Sequence, residues 1–217
     1  MNVYRINKII QRQLCPDTIR KIDLSVTQCE KSKSVQKKKN DWRTSLCDEG
    51  FAPDKVDKYI NNPKNIERFI SPGAKGNVRG HTFNKIVKEN LTMNKVLSTN
   101  RFEVSFEKHH PLGLKNSERP DWCIYDKRTK KLMIGMNQLD IWGGGQQINR
   151  GKKYIFNNDN DVNKKLVCVV CNDVCLKTDK NELYKLFENG FKNKTLCFIL
   201  GLDEIIEEFF GIGLTPL

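Results

Sequence analysis

The chain has 217 residues, 38% hydrophobic and 29% charged. That is enough for one well-filled core, or one core with a small appendage, and it excludes both a peptide hormone and a large assembly. Its 38 Lys and Arg against 26 Asp and Glu leave a formal charge of +12, so its natural partners are anions, with nucleic acid and anionic membrane surfaces leading.

Short helices are expected near residues 3–13 and 17–29. The polar run 31–40 (KSKSVQKKKN) reads as a solvated face or mobile loop, whose Lys37, Lys38 and Lys39 would meet phosphates. Ala52-Pro53-Asp54 opens a helix to about Ile60, and Asn62-Pro63 breaks it before another at 64–70. The segment Ser71-Pro72-Gly73-Ala74-Lys75-Gly76 reads as a hinge. A boundary placed there divides a basic, mainly helical nucleic-acid-binding region, 1–76, from a second domain, 77–217. The first 80 residues hold 17 basic and 9 acidic side chains, a net of +8 against +4 for the rest.

Beyond the hinge the order becomes regular. Residues 81–98 carry Phe83, Val87 and Leu91 at helical spacing, and 102–106 alternates as a strand. Residues 120–125 and 132–139 read as two strands joined by a charged turn, a hairpin. A polar helix at 146–157 follows a glycine triplet; then come a strand at 166–171, a helix at 180–189, a strand at 196–200 and a last helix at 203–210. The fold class is α/β (α+β), a mixed sheet covered by helices on both faces, with a small helical N-terminal region. No apolar stretch reaches the roughly 20 residues a membrane span needs, and the first residues lack a signal-peptide run, so an intracellular protein of cytoplasm or nucleus, free of membrane, is expected. The eight cysteines are then read as reduced.

The polar residues inside the apolar strands carry the chemistry. Asp121 begins a strand straight after Pro120, while Gln138 and Asp140 close its partner, so the three approach one end of the hairpin. A carboxylate there suits Mg²⁺, which takes oxygen ligands and keeps several waters for phosphate chemistry. Pro120-Asp121, the hairpin, the run 132–138 (LMIGMNQ) and the helix bearing Gln147 and Arg150 together resemble the PD-(D/E)XK nuclease superfamily over roughly residues 80–200. That is the fold of many type II restriction endonucleases. The resemblance implies a restriction-endonuclease-like αβββαβ core, Mg²⁺ (with Mn²⁺ as an alternative ion) and phosphodiester hydrolysis by a metal-activated water, with Asp121 as the first acid.

The second half of the motif departs from the family pattern. Where an acid, any residue and Lys are expected, the chain reads Met136-Asn137-Gln138. Gln138 can stand at the Lys position, leaving Met136 only a backbone carbonyl for metal; Asn137 can supply a neutral amide oxygen; or Asp140 can be the second carboxylate. Strand periodicity groups Met136, Gln138 and Asp140 on one face and Gly135 and Asn137 on the other, and the former face is favoured. The missing Lys can move to the following helix, where Lys152 and Lys153 are available. In the glycine-rich run before and into that helix, backbone N–H groups suit a phosphate, and Gln146, Gln147, Asn149 and Arg150 suit phosphates or base edges. Glu118 and Glu89 are candidate accessory acids, with Asn84 an alternative to Glu89.

Other groups read as scaffold: Glu103 and Glu107 as surface charges, His109 and His110 as loop residues, and Cys168, Cys171 and Cys175 as small hydrophobes rather than half a zinc site. Of Trp42, Trp122 and Trp142, any could stack on bases, although Trp122 lies inside a strand. The expected activity is a Mg²⁺-dependent endonuclease on double-stranded DNA, as a homodimer. The alternatives are an inactive nucleic-acid-binding protein on the same fold and a zinc-stabilised interaction module.

Overall fold

The computed structural model describes residues 1–113, 119–139, 146–156, 161–171, 174–179 and 182–212, with the backbone alone for 146–150. The chain divides into two compact units, one formed by residues 1–16 with 83–217 and the other by 17–82. The expected boundary at residue 76 is therefore displaced at both ends.

The larger unit is built on five strands, β1 (Phe102–Phe106), β2 (Trp122–Asp126), β3 (Leu132–Gln138), β4 (Lys164–Val170) and β5 (Leu196–Phe198), lying side by side in chain order. β1, β2 and β3 form an antiparallel meander, and β3, β4 and β5 run parallel. The parallel steps need crossovers, supplied by α7 (Gln146–Ile155) and α8 (Glu182–Asn193). The result is an α+β fold with a mixed sheet flanked by helices.

Strand parity sorts the core. Cys123, Leu132, Ile134, Met136, Leu166, Cys168, Val170 and Phe198 share one cluster with Ile6, Ile10, Tyr154, Ile155, Phe187 and Phe191, so this face is covered by α1 (Val3–Gln13), α7 and α8. The alternate residues Trp122, Ile124, Met133, Val167 and Val169 are equally buried on the opposite face.

Helix α1 belongs with the sheet because its apolar stripe has no other cover: Ile6 and Ile10 are fully buried. Asn7 bonds both the N–H and C=O of Leu176 at 2.9 Å, and the buried Gln13 accepts from Phe198 N at 3.2 Å. Residues 1–16 are thus not part of a separate basic region.

The turn closing β2 and β3 is locked by Asp126, which has no solvent exposure. Arg101 grips its carboxylate at 3.0 and 2.6 Å, Thr129 Oγ1 donates at 2.7 Å and Arg128 N at 2.9 Å. The Arg101 bond leads the causes that hold this carboxyl well below the usual range.

In the smaller unit, α2 (Pro16–Thr27), α3 (Lys33–Asp48), α4 (Pro53–Ile60) and α5 (Ile66–Phe69) enclose a core of Val26, Val35, Val56, Ile60, Ile66, Phe69 and Ile70. The lysine run is helix, not loop. Ser32 caps α3 by accepting from Val35 N at 3.4 Å, and Val35 and Lys39, four apart, both turn inward. Lys39 is 4% exposed and donates to Glu30 at 2.6 Å, so it is a structural lysine, while Lys37 stays exposed and Lys38 half-buried.

The expected hinge at 71–76 is instead the start of a 22-residue helix, α6 (Pro72–Met93). Ser-Pro is a helix-opening pair, and Ser71 Oγ accepts from Ala74 N at 3.3 Å. No side chain added at Gly73 or Gly76 would meet another atom, so these glycines sit in the helix without a packing role. The helix ends at Met93, short of the expected 98.

Two outcomes follow. Lys39→Ala should lower stability by about 2 kcal/mol in urea unfolding, whereas Lys37→Ala should stay within about 0.5 kcal/mol of the parent. Equal losses would contradict the buried pair. For Asp126 the folded-state pKa is depressed, so its stabilisation is complete above the unfolded value of about 4 and drains away as pH falls below it. Melting temperatures from neutral pH downward should fall less steeply for Asp126→Asn than for the parent.

Candidate functional site

The end of the sheet at which β2 begins and β3 finishes is organised by Asp121. Its main chain is pinned on both sides: its N–H donates to Gly135 O at 3.0 Å, and its C=O accepts from Glu107 N at 3.0 Å. Its carboxylate turns to the neighbouring strand, where Oδ2 accepts from the Asn137 N–H at 2.6 Å. The ladder of β2 with β3 stops at Trp122 opposite Gly135, so the Asp121 side chain takes over a backbone donor just beyond the last paired residue. Asp121 is half-buried, next to the buried Pro120.

Behind it lies a second layer on the opposite face. The Trp122 ring occupies the place of a side chain at residue 135: a Cβ on Gly135 would fall 1.8–2.2 Å from its atoms. From there the indole N–H donates to Asn137 Oδ1 at 3.0 Å, and Asn137 Nδ2 donates to Asn84 Oδ1 on α6 at 3.2 Å. One turn on from Asn84, the Lys88 ammonium stands 5.0 Å from the centre of the Phe106 ring. Asn137 thus serves two faces, its backbone holding Asp121 and its amide bound to Trp122 and Asn84.

Of the residues expected to act together, Asp121, Asn137 and Asn84 are joined by these bonds. Gln138 is buried, on the Met136 face and opposite Val170. Glu89 is exposed and pairs with Lys85 at 3.9 Å. Lys152 Nζ donates to Glu182 Oε2 on α8 at 3.4 Å, and Lys153 is exposed. Asp140, Glu118, Trp142 and the glycine triplet lie outside the described residues, as do the side chains of Gln146, Gln147, Asn149 and Arg150. Glu103 and Glu107 are exposed, as expected of surface charges.

His109 and His110 lie in a loop as expected, His109 exposed, but His110 is not fully solvated. It is half-buried, its ring 4.7 Å from that of Tyr125, and burial lowers its pKa against the opposing pull of Glu103. All eight cysteines are free, and burial pushes the Cys123 thiol up to about 11, which makes it a poor nucleophile.

The Trp122–Asn137–Asn84 chain was not legible as a unit. The signals available were the glycine at 135 inside an apolar strand, which marks a close approach, and the parity that puts 135 and 137 on the same face.

The donor chemistry fits a hard cation better than a soft one. Asp121 offers carboxylate oxygen, the ligand type of Mg²⁺. Among the described residues no three His, Cys, Asp or Glu side chains gather to hold a metal, so an ion seated by Asp121 would depend on few protein ligands and on water. No helix among the described residues is long and apolar enough to cross a membrane. No protein-family model matches this chain, and a search of the curated proteins finds no match.

Gly135→Ala should destabilise the protein by about 3 kcal/mol, because the added methyl must displace a fully enclosed indole. Thermal melting checks this; a loss below about 1 kcal/mol would mean the ring has room to move.

Proposed function

We propose that this chain is a Mg²⁺-dependent endonuclease acting on double-stranded DNA, built on the αβββαβ core of the PD-(D/E)XK nucleases. One observation carries the reading: the half-buried Asp121 carboxylate, its backbone clamped between β1 and β3, is anchored in one orientation at the open end of the hairpin. The order α6, β1, β2, β3, α7, β4, with β3 and β4 parallel, supports it.

In this reading Asp121 holds the ion, with Asp140 or a main-chain carbonyl near Met136 completing the site; Mn²⁺ would serve in place of Mg²⁺. The bound ion supplies a water of lowered pKa and neutralises charge on the phosphate. Asp121 keeps its place because Asn137 N–H holds one oxygen. Gln138 orients the attacking water from the end of β3, while Gln147, Arg150 and Lys152 on α7 steady the scissile phosphate. Lys152 would exchange its exposed Glu182 partner for that phosphate at small cost, since exposed pairs contribute little. Counterion release from the basic surface, Lys37 and Lys38 included, supplies affinity. Cutting both strands calls for two sites, hence a homodimer.

A second reading, an inactive DNA-binding protein on the same fold, draws on a specific feature: Asp121 caps a backbone N–H and Asn137 bonds a tryptophan, roles that keep the sheet end in order without chemistry.

Two variants separate the readings. Asp121→Asn keeps an acceptor for Asn137 N–H and should stay within about 1 kcal/mol of the parent, while Asp121→Ala should lose about 1–3 kcal/mol. Both should abolish Mg²⁺-dependent plasmid cleavage, with DNA binding in Ca²⁺ retained in Asp121→Asn. Cleavage surviving in Asp121→Asn, or none by the parent in Mg²⁺ or Mn²⁺, would sink the catalytic assignment.

A further inference from the structure

The smaller unit contains a groove that the Asp121 chemistry does not use. It lies between α3 and α4, has a volume of about 320 Å³ and is lined by Trp42, Leu46, Phe51, Lys55, Val56 and Tyr59. Trp42 and Phe51 are 38% and 56% exposed, which is unusual for two large aromatic side chains in one place. The rings are held from behind: Trp42 meets Phe69 edge-on with centroids 5.4 Å apart, and the Tyr59 hydroxyl accepts from Arg68 at 2.9 Å.

The surroundings are cationic. Residues 17–82 carry 14 Lys and Arg against 9 Asp and Glu. Asp17, Asp23, Glu30, Asp57 and Glu67 are each paired with a base, namely Arg20, Arg79, Lys39, Arg43 and Lys75, which leaves Asp41, Asp48, Glu49 and Asp54 against nine Lys and Arg without an ion pair among the described residues. Among the described residues Lys55 in the groove, Lys38 one turn before Trp42, Lys58 beside Tyr59 and Arg68 over its ring form no ion pair. Aromatic walls with cations on α3, α4 and α5 are what a flexible polyanion with flat apolar groups requires.

We propose that this groove is a stacking site for single-stranded nucleic acid, in which an unpaired base enters against Trp42, Phe51 and Tyr59 while Lys55, Lys38 and Arg68 meet the flanking phosphates. The lining offers the Lys55 ammonium, the Tyr59 hydroxyl and the Trp42 indole N–H as its side-chain polar groups, too few to read a base edge, so binding is sequence-tolerant. An acidic peptide would satisfy the cations but presents charge intermittently, whereas a polynucleotide presents one phosphate per base along all three helices. The inference goes beyond the endonuclease reading and does not depend on it.

The test uses the full chain in EDTA, where no cleavage occurs, and follows fluorescein-labelled oligo-dT by anisotropy. Phe51→Ala removes an exposed ring with little effect on the core, Trp42→Leu keeps apolar volume, and Lys55→Glu reverses a charge. Phe51→Ala and Trp42→Leu should each weaken oligo-dT binding about tenfold, the effect of one lost stacking interaction, and Lys55→Glu by at least as much. Duplex binding should be unchanged by Phe51→Ala, and oligo-dT should quench tryptophan emission in the parent more than in Trp42→Leu. Absence of oligo-dT binding by the parent, or equal affinity in Phe51→Ala and Lys55→Glu, overturns the proposal. So does tighter binding of a labelled Glu- and Leu-rich helical peptide that the same variants abolish. Loss of plasmid cleavage in Asp121→Asn leaves all of these readouts unaffected, so the two proposals fail separately.

Discussion

The indole of Trp122 lies flat over Gly135, where any larger residue would collide with it. This one exclusion orders the end of the sheet. With the ring lodged against β3, its N–H reaches only the next residue of the same parity, and Asn137 is there to accept it at 3.0 Å. The amide so oriented bonds Asn84, tying α6 to the sheet, while the backbone of the same residue bonds Asp121. A buried ring, a glycine and two asparagines thus define where one carboxylate stands. The sub-network is satisfied polar group by polar group, as a half-buried site must be if it is not to cost stability.

Strand β2 is bounded by two aspartates whose environments set their roles apart. Asp126 is enclosed and held by Arg101, Thr129 and the backbone of Arg128, so its carboxylate closes the turn and can do nothing else. Asp121 is half-buried at the other end, where the ladder with β3 runs out. The same residue type is structural where an arginine saturates it and a site candidate where the strand leaves it at the rim. Composition could not distinguish the two, because the difference is made by Arg101, 25 residues away in the chain.

The basic N-terminal third also separates into parts with different physical fates. Lys37, Lys38 and Lys39 are consecutive, yet helical geometry sends one outward, leaves one half-buried and turns the third into the core beside Glu30. A run of like charge therefore overstates the cations available to a phosphate. The aromatic groove runs the other way: Trp42 was a stacking candidate by itself, but only the packing of α3 against α4 brings Phe51 and Tyr59 to it as one surface.

The sequence by itself determined the order of elements in the larger unit, because periods of 2 and 3.6 in apolar residues are local properties that survive any tertiary arrangement. It also pointed to Asp121, through a proline that halts the preceding segment and an acid at the mouth of an apolar strand. Of the two readings open for 31–40 the solvated face holds, except at Val35 and Lys39, and the mobile loop does not; at 71–76 Gly-Pro composition suggested a hinge although Ser71 supplied a helix cap. Only the tertiary structure decided that α1 joins the sheet, that Asn137 faces Trp122 and Asn84, and that Lys39 is buried. Each of these is settled by which distant surface has room for a side chain and a partner for its polar atoms, and neither quantity is written in neighbouring residues.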